Sequence, residues 1–297
     1  FHCGSKMTKK NGKVKGVQLY KCTSCGKQFL GGERLDSHLL WQEYTEGKQT
    51  YQQLSERYGC SIKTIQRRLD KVNVKTPALE KTAVVVLMDT TYFGRAFGVM
   101  LFKDAYSGKN LYKQYVKNET NSLYGAGLLF LKESGLDIKA IVCDGRKGLL
   151  ALMPTVPKQM CQFHQLAIVT RYLTRKPKMQ AAKELREHAL LLSKTDKESF
   201  EGGLTAWHTK WEHFLNERSK DKAGKNRYTH RKLRSAYRSL KTNLPWLSTF
   251  YDNMELNIPN TTNAIDGHFA DMKNKLRNHN GLSLNRKMKF IDEFLKA

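Results

Sequence analysis

The spacing of apolar positions between residues 77 and 165 predicts an α/β domain. Short apolar runs with strand-like alternation come first, and the DAYSGK turn at 104–109 joins two of them into a hairpin. In chain order, the predicted elements are strands at 83–90, 96–103 and 109–116, a helix at about 121–134, a strand that ends at Asp144, a short helix at 146–152 and a strand near 157–161.

Residues 50–72 (TYQQLSERYGCSIKTIQRRLDKV) have the pattern of a helix-turn-helix. Gly59 permits a tight turn, and Ile62, Ile65 and Leu69 recur at helical spacing on the second helix. The outer face of that helix then carries residues suited to phosphates and the major groove, namely Lys63, Thr64, Gln66, Arg67 and Arg68. The alternative is an ordinary helical hairpin with a solvated basic face.

The region from about 165 to 255 has a helical pattern. Its aromatic stripe is predicted to be core and consists of Phe200, Leu204, Trp207, Trp211, Phe214 and Leu215. The run at 220–241 contains nine Lys or Arg and one Asp, for which a DNA-facing surface and a solvated face are the alternatives. A capped helix that carries Asp266 is predicted within 260–283.

Charge changes this picture more than hydropathy does. The 297 residues carry a formal net charge of +25, which favours a polyanionic partner, most simply nucleic acid. The alternatives are a ribosome-associated protein and a basic surface that serves solubility. No run approaches the ~20 apolar residues of a membrane span, and no secretory signal precedes the first motif, so no membrane partner is expected. Six irregularly spaced cysteines do not resemble a disulfide scaffold and favour a reducing cytoplasm.

Three of these cysteines, Cys3, Cys22 and Cys25, follow the pattern of a zinc ribbon. Two tight Gly-assisted knuckles with paired thiolates close a tetrahedron around Zn²⁺. The partner of Cys3 is expected one position before residue 1, because residue 1 is Phe and the sequence is expected to begin inside a longer gene product. The alternative is three unrelated cysteines in a basic tail.

Two acids follow strands of the α/β domain. Asp89 closes an apolar run at 84–88, and Asp144 follows the fourth strand. Three strands, helix, strand, helix and strand is the order of a ribonuclease-H-like domain, in which the first and fourth strands are neighbours. We therefore expect the two carboxylates to meet at one sheet edge, where divalent cations relieve their repulsion and support phosphodiester cleavage. Taken singly, the alternatives are a turn cap for Asp89 and a loop start for Asp144.

The order of these motifs resembles that of the bacterial insertion-sequence transposases of the Mutator-like superfamily. The resemblance spans nearly the whole chain and includes the ribbon, the helix-turn-helix and the segments VLMDTTYFG, IVCDGRKGLL, QMCQFHQL and NTTNAIDGHFADMKNKLRNHNGLS. Its most specific parts are the Cys-x-x-His element, Cys161 and His164, and the Asn-Ala-Ile-acid-Gly block. For the Cys-x-x-His pair the family implies a structural or DNA-contacting role near the active site. Metal ligation is disfavoured because two ligands do not make a site.

The resemblance implies that Asp89 and Asp144 are the first two catalytic acids of a DDE/D transposase and that Asp266 is the third. The family more commonly has Glu at the third position, and the shorter Asp reaches less far from its helix. Asp271 and Glu255 are lower-ranked candidates for this role.

The fold class expected is α/β, a ribonuclease-H-like catalytic core with an all-α insertion, preceded by a small zinc ribbon and a helix-turn-helix. The expected domains are a zinc ribbon at 1–30, a helix-turn-helix at 31–76, the catalytic domain at 77–165 and 256–297, and the all-helical insertion at 166–255.

The expected function is that of a transposase that binds element ends and catalyses DNA cleavage and strand transfer. Two Mg²⁺ (or Mn²⁺) ions would be held by the three acids, and Zn²⁺ would be structural in the ribbon. Double-stranded DNA is the expected partner, with a homo-oligomer when ends are paired and a location at the bacterial nucleoid. The alternatives are a catalytically inactive DNA-binding regulator and a two-metal nuclease without strand transfer.

Overall fold

The computed structural model describes residues 3–30, 35–75 and 77–296, and its contacts divide the chain into two units. The first unit comprises Phe1–Val74 and Lys275–Phe294, and the second comprises Lys75–Asn274 and Leu295–Ala297. Residues 275–294, which the sequence analysis assigned to the catalytic domain, therefore group with the N-terminal residues. The protein is mixed α/β, with a sheet that has both parallel and antiparallel strands.

The first unit begins with a small antiparallel sheet. Its strands are β1 (Thr8–Val14), β2 (Val17–Cys22) and β3 (Gln28–Leu30), in the order β1-β2-β3. Within these strands only Cys22 is buried. The sheet therefore has almost no hydrophobic core of its own.

Helices make up the rest of the first unit. They are α1 (Ser37–Thr45), α2 (Tyr51–Tyr58), α3 (Ile62–Asp70) and the C-terminal α11 (Leu284–Phe294). Gly59 ends α2 with φ 57°, in the left-handed region that glycine adopts without a Cβ clash. Ile65 and Leu69 are buried as predicted, but Ile62 is 38% exposed. Burial of Ile62 was expected from its helical spacing with Ile65 and Leu69, and this expectation was wrong. Ile62 is the first residue of α3 and lies outside the buried part of its apolar face.

The C-terminal helix α11 packs on the end of α3 through charged side chains. Arg286 donates two hydrogen bonds to the carboxylate of Asp70, at 2.9 and 2.8 Å. The Lys289 ammonium donates to the backbone carbonyls of Leu69 and Asp70 at the end of α3. A cation at a helix C-terminus satisfies carbonyls that have no partner within the helix, so α11 stabilises the end of α3.

The second unit is built on a five-stranded sheet with the order β6-β5-β4-β7-β8. Its strands are β4 (Ala83–Phe93), β5 (Phe97–Asp104), β6 (Asn110–Val116), β7 (Asp137–Cys143) and β8 (Lys158–Met160). The first three strands are antiparallel neighbours, whereas β7 runs parallel to β4 and β8 runs parallel to β7. Every residue of β5 and the run Val84–Met88 are buried, as expected for strands covered on both faces.

Helices make up most of the rest of the second unit. They are α4 (Asn121–Glu133), α5 (Gln162–Leu173), α6 (Gln180–Leu190), α7 (Lys197–Asn216), α8 (Arg231–Leu247), α9 (Thr249–Asp252) and α10 (Asn263–Arg277). The predicted aromatic stripe is confirmed, since four of its residues are buried and Trp211 and Phe214 are partly buried against the core.

Two predicted elements differ in the structure. The short helix expected at 146–152 is a single 3-10 turn, Leu149–Ala151. The stretch expected to be all helical contains a two-stranded ribbon of β9 (Arg218–Lys220) and β10 (Asn226–Tyr228). Its strands have three residues each and are almost fully exposed, so they lack the apolar alternation from which strands are predicted. Within residues 3–30, 35–75 and 77–296, no helix has both the length and the apolar character needed to cross a membrane.

Candidate active site

Asp89 lies within β4, directly after the five buried residues Val84–Met88. Its Oδ1 accepts a hydrogen bond from the backbone N–H of Thr90 at 2.7 Å. Burial raises the pKa of the Asp89 carboxyl to about 7, because removal from water disfavours the charged form. The Thr90 N–H and the charge of His164 oppose this rise, whereas the negative charges of Asp266 and Asp144 add to it.

Asp144 follows β7, which is the parallel neighbour of β4. Leu87 of β4 pairs with Val142 of β7, so two residues further along each strand come Asp89 and Asp144. The register therefore brings Asp89 and Asp144 to matching positions on adjacent strands. The expectation that Asp89 closes its strand was wrong, because β4 continues to Phe93 and Asp89 pairs with Leu101 of β5. The Asp144 carboxylate accepts a hydrogen bond from the backbone N–H of Arg146 at 3.1 Å.

A chain of polar side chains links the surroundings of these two acids. The Thr90 hydroxyl lies 2.8 Å from the Tyr124 hydroxyl, which donates to Glu119 Oε1 at 2.7 Å. The Arg146 guanidinium lies 3.6 Å from the carboxylate of Glu119 and donates to its backbone carbonyl at 2.8 Å. These contacts hold the Arg146 side chain on Glu119, so it does not neutralise Asp144. Sequence reasoning missed this network because its members lie on β4, on α4 and in two separate loops.

Asp266 lies in the first turn of α10, and its backbone N–H donates to the carbonyl of Thr262 at 3.2 Å. Its Oδ2 is buried and has no hydrogen-bond partner in the described part of the chain. The charge of Asp266 contributes to the raised pKa of Asp89, which places the third predicted acid in the neighbourhood of the first. The lower-ranked candidates Asp271 and Glu255 are both exposed.

Cys161 and His164 lie at the start of α5, beside the acids. Burial alone raises the pKa of the Cys161 thiol, but hydrogen bonds from His164 and Thr262 outweigh it and the pKa is lowered. The hydrogen bond with Cys161 raises the pKa of His164 to about 9, with burial opposing and the charges of Cys161, Asp89 and Asp266 reinforcing the rise. The Cys161–His164 pair and the nearby carboxylates therefore influence one another electrostatically.

Thr262 connects this pair to the helix that carries Asp266. Its backbone N–H and its hydroxyl donate to the Cys161 sulfur at 3.3 and 3.4 Å, and the hydroxyl lies 3.5 Å from His164 Nδ1. The backbone N–H of Gln162 donates to the carbonyl of Asn260 at 2.9 Å, and the Asn260 amide donates back to the Gln162 side chain at 3.0 Å. The segment before α10 is thus fixed to the start of α5.

The three acids fit a hard cation by their chemistry. Their donor atoms are carboxylate oxygens, one of which is buried and unpartnered, and among the described residues no Lys or Arg forms an ion pair with them. Their oxygens do not all lie within 4.8 Å of one another. Within residues 3–30, 35–75 and 77–296, that spacing is reached only by the thiols of Cys3, Cys22 and Cys25.

The cysteine cluster lies around the end of β2 in the first unit. The sulfurs of Cys3 and Cys22 are 3.6 Å apart. The backbone N–H of Cys25 lowers the pKa of the Cys22 thiol, which is about 7. Three close thiols, one of which is easily ionised, are suited to a soft divalent ion such as Zn²⁺.

The residues predicted to contact DNA lie on α3. Lys63 and Arg67 are exposed, whereas Thr64, Gln66 and Arg68 are half-buried. The backbone N–H of Thr64 donates to the Ser61 hydroxyl at 3.2 Å, which caps the start of α3. The outward-facing part of this helix is therefore basic.

No protein-family model matches this chain, and no curated protein sequence matches it. Among solved structures, a similar chain comes from the cryo-electron microscopy structure of the simian T-cell lymphotropic virus intasome in complex with the PP2A regulatory subunit B56 gamma. The two chains are 11% identical, the match covers 68% of each, and the TM-score is 0.22. A TM-score this low supports no conclusion about fold or function.

Proposed function

We propose that this chain is a metal-dependent DNA transposase of the DDE/D type. The observation that carries the proposal is that three acids far apart in sequence lie near enough to act on one another electrostatically. Asp144 and Asp266 both act on the pKa of Asp89, although they lie 55 and 177 positions beyond it. Buried like charges repel one another, so a cluster of this kind calls for a cation to neutralise it.

The strand order supports a ribonuclease-H-like catalytic core. In the order β6-β5-β4-β7-β8, the first strand of the second unit is central and the fourth is its parallel neighbour. This is the arrangement expected of that fold, with antiparallel pairing among the first three strands. The resemblance to Mutator-like insertion-sequence transposases adds the expectation that helices interrupt the core, and α6 to α8 lie between β8 and the helix with Asp266.

Two Mg²⁺ or Mn²⁺ ions are the proposed cofactors, held by Asp89, Asp144 and Asp266. When bound, they supply activation of the attacking oxygen and stabilisation of the leaving oxygen in phosphodiester chemistry. The buried and unpartnered Oδ2 of Asp266 supports this assignment. The shorter third acid is not left distant, because its charge still acts on Asp89.

The chain's own residues hold the carboxylates in place. The N–H groups of Thr90 and Arg146 fix the orientations of Asp89 and Asp144. Thr262 fixes the start of the helix that carries Asp266. Groups positioned before the reaction contribute by orientation and by preorganised charge.

In the proposed reaction, hydrolysis of a phosphodiester at the element end exposes a 3′-hydroxyl. That hydroxyl then attacks a phosphodiester of target DNA, which releases a new 3′-hydroxyl on the target strand. The basic face of α3 would bind the element ends, and Zn²⁺ bound to Cys3, Cys22 and Cys25 would stabilise the N-terminal sheet. We further propose that pairing of two ends involves a homo-oligomer and takes place at the bacterial nucleoid.

The test is a cleavage and strand-joining assay on duplexes that carry the element's own ends. Asp89→Asn, Asp144→Asn and Asp266→Asn should each reduce Mg²⁺-dependent joining by at least about a hundredfold with DNA binding retained. Asp137→Asn is the matched control, because this exposed acid lies at the opposite end of β7. Its joining rate should equal that of the wild type.

The outcomes separate the proposal from its alternatives. DNA binding without any metal-dependent chemistry would identify a regulator with an inactive catalytic unit. Nicking without joining would identify a two-metal nuclease. Joining that survives all three Asp→Asn changes would overturn the assignment of these acids.

A further inference from the structure

The helices of the second unit are interrupted by the ribbon Arg218–Tyr228. Its two strands pair antiparallel, with Lys220 opposite Asn226 and Arg218 opposite Tyr228. Every residue of β9 is exposed, and in β10 only Tyr228 is half-buried. The ribbon therefore buries almost nothing in the core, and packing alone does not explain it.

The ribbon is nevertheless held rigidly at its tip. The Asp221 carboxylate accepts hydrogen bonds from the backbone N–H groups of Ala223 and Lys225, both at 3.0 Å. The same carboxylate pairs with Arg227 at 2.5 Å. Isolated two-stranded hairpins are marginally stable in water, so these contacts fix a turn that would otherwise be mobile.

The base of the ribbon is fixed by stacked cations. The Tyr228 ring has the guanidinium of Arg234 at 3.6 Å and that of Arg218 at 4.5 Å from its centroid. The backbone N–H of Thr229 donates to the carbonyl of Glu217 at 2.9 Å. Several specific contacts thus keep this exposed ribbon in one conformation.

The charge of this region is unbalanced. Residues 217–241 contain ten Lys or Arg and two Asp or Glu. Near the tip, Lys220, Lys222 and Lys225 are exposed, and their ammonium groups have no acidic partner in the described part of the chain. Arg227, in contrast, is neutralised by Asp221. Three cations on a rigid support are therefore available to an external anion.

The positive charge continues along α8. Arg231, Arg234, Arg238 and Lys241 follow one another at helical spacing and so lie on one face of the helix. This face borders a shallow cleft of about 210 Å³ that contains one acid, Glu212. The cleft itself is mixed in charge, so the anion-binding surface consists of the ribbon tip and the outer stripe of α8.

We infer that the ribbon Arg218–Tyr228 and the basic stripe of α8 form a second surface for duplex DNA, in addition to the helix-turn-helix. A two-stranded ribbon fits the major groove of B-form DNA, and lysines on its tip reach the phosphates that line the groove. The inference shares with the proposed function the assumption that the polyanion is DNA. It does not require the three acids to be catalytic.

The experiment measures binding of the full chain to a 30-base-pair duplex and to a single strand of equal length, in EDTA and across salt concentrations. The ribbon variant carries Lys220→Gln, Lys222→Gln and Lys225→Gln. Its control carries Lys132→Gln, Lys183→Gln and Lys194→Gln, three exposed lysines on other elements of the second unit. Both variants remove the same charge, so a general effect of net charge affects them equally.

We expect the ribbon variant to lose about two units from the magnitude of the slope of log K against log salt, since each phosphate contact contributes about 0.9. The control should lose less than about half a unit. Duplex addition should also protect the three ribbon lysines of the wild-type protein from acetylation. Equal slopes for the two variants, unprotected lysines, or tighter binding of the single strand would each overturn the inference. Because no chemistry is needed, Asp89→Asn protein can be used, and failure of catalysis cannot be mistaken for failure of this surface.

Discussion

Two clusters of candidate metal ligands in this protein are held in opposite ways. The thiols of Cys3, Cys22 and Cys25 converge within 4.8 Å on a small sheet in which only one strand residue is buried. Asp89 lies within β4 and Asp144 follows β7, next to the buried runs Val84–Met88 and Ala140–Cys143. The thiols therefore lie close together although their sheet has almost no core. The carboxylates lie on a well-packed core, but their oxygens do not all lie within 4.8 Å of one another.

This difference indicates whether the metal stabilises the fold or the fold positions the metal ligands. A sheet with little apolar burial gains too little free energy from packing to offset its conformational entropy. For the thiol cluster, we therefore expect the metal to stabilise the fold. For the acids, the five-stranded sheet is stabilised by its own hydrophobic core without a metal. The fold thus holds the carboxylates in place, and a metal would relieve their mutual repulsion.

The largest expected effect is the response of the N-terminal sheet to metal removal. A strong zinc chelator, or Cys22→Ser, should unfold β1 to β3, because thiolate ligation contributes folding free energy directly. Limited trypsin digestion should then cut at Lys9, Lys10 and Lys21, whereas the second unit stays protected. Cys60→Ser is the control, since this cysteine lies in the same unit outside the cluster. If the sheet resists trypsin equally with and without metal, the contrast between the clusters fails.

The second prediction concerns the link between Thr262 and the acids. Thr262→Val removes the hydroxyl that donates to Cys161 and should reduce strand joining about ten- to a hundredfold, the cost typical of groups that position metal ligands. The Mg²⁺ concentration for half-maximal joining should rise with it. A merely structural role would lower stability without shifting the metal requirement.

Thr249→Val is the matched control for this change. Thr249 is also buried, and its hydroxyl donates to the carbonyl of Lys158 at 2.7 Å, outside the contacts of the acids. Loss of either hydroxyl should cost about 1 kcal/mol of stability, but only Thr262→Val should alter the metal requirement. Equal metal dependence in the two variants would argue that Thr262 does not position Asp266.

The contrast between the clusters also explains what could be predicted from sequence. Strands β4, β5 and β7 carry apolar runs, so their positions and the adjacency of Asp89 and Asp144 follow from periodicity and strand order. Thr262 carries no such signal, because its contacts with Cys161 cross 101 positions of sequence. The packing of α11 on α3 was missed for the same reason, as Arg286 and Asp70 are 216 positions apart. The ribbon β9–β10 was not predicted, because its three-residue exposed strands have no apolar pattern.

The third prediction tests whether the second unit stands on its own core. A Cβ at Gly127 in α4 would lie 2.2 Å from the ring of Phe102, which is fully buried between Tyr112 and Tyr124. Gly127→Ala should therefore destabilise the unit by about 1–3 kcal/mol through overpacking. The chain offers a control in the same helix, because the nearest side chain to a Cβ at Gly125 is Leu152, at 3.8 Å.

Gly125→Ala should leave stability unchanged or raise it by up to about 1 kcal/mol through helix propensity. Chemical denaturation followed by tryptophan fluorescence measures the stability of both variants, because three of the four tryptophans lie in the second unit and only Trp41 lies in the first. Neither change should alter metal binding by the thiols. A Gly127→Ala protein as stable as the wild type would show that this core is loosely packed and weaken the comparison.

The smallest expected effect is a pH dependence caused by holding Asp89 among other acids. Its folded-state pKa of about 7 lies above the ordinary value of 3.8 for an aspartate, so the folded chain binds more protons than the unfolded chain between pH 3.8 and 7. Without metal, the stabilisation is present below about pH 4 and is lost as pH rises through 7. Asp89→Asn should reduce the loss of unfolding free energy between pH 4 and 8 by about 1 kcal/mol, because partial solvent access screens the effect. Asp196→Asn should not, because hydrogen bonds from Ser199 lower the pKa of Asp196 and its titration lies below pH 4. Unfolding curves measured without metal at pH 4 to 8 give this difference. Added Mg²⁺ should abolish the decline in the wild type. If the free energy of unfolding changes with pH equally in the wild type and in Asp89→Asn, the fold holds this carboxylate without electrostatic cost.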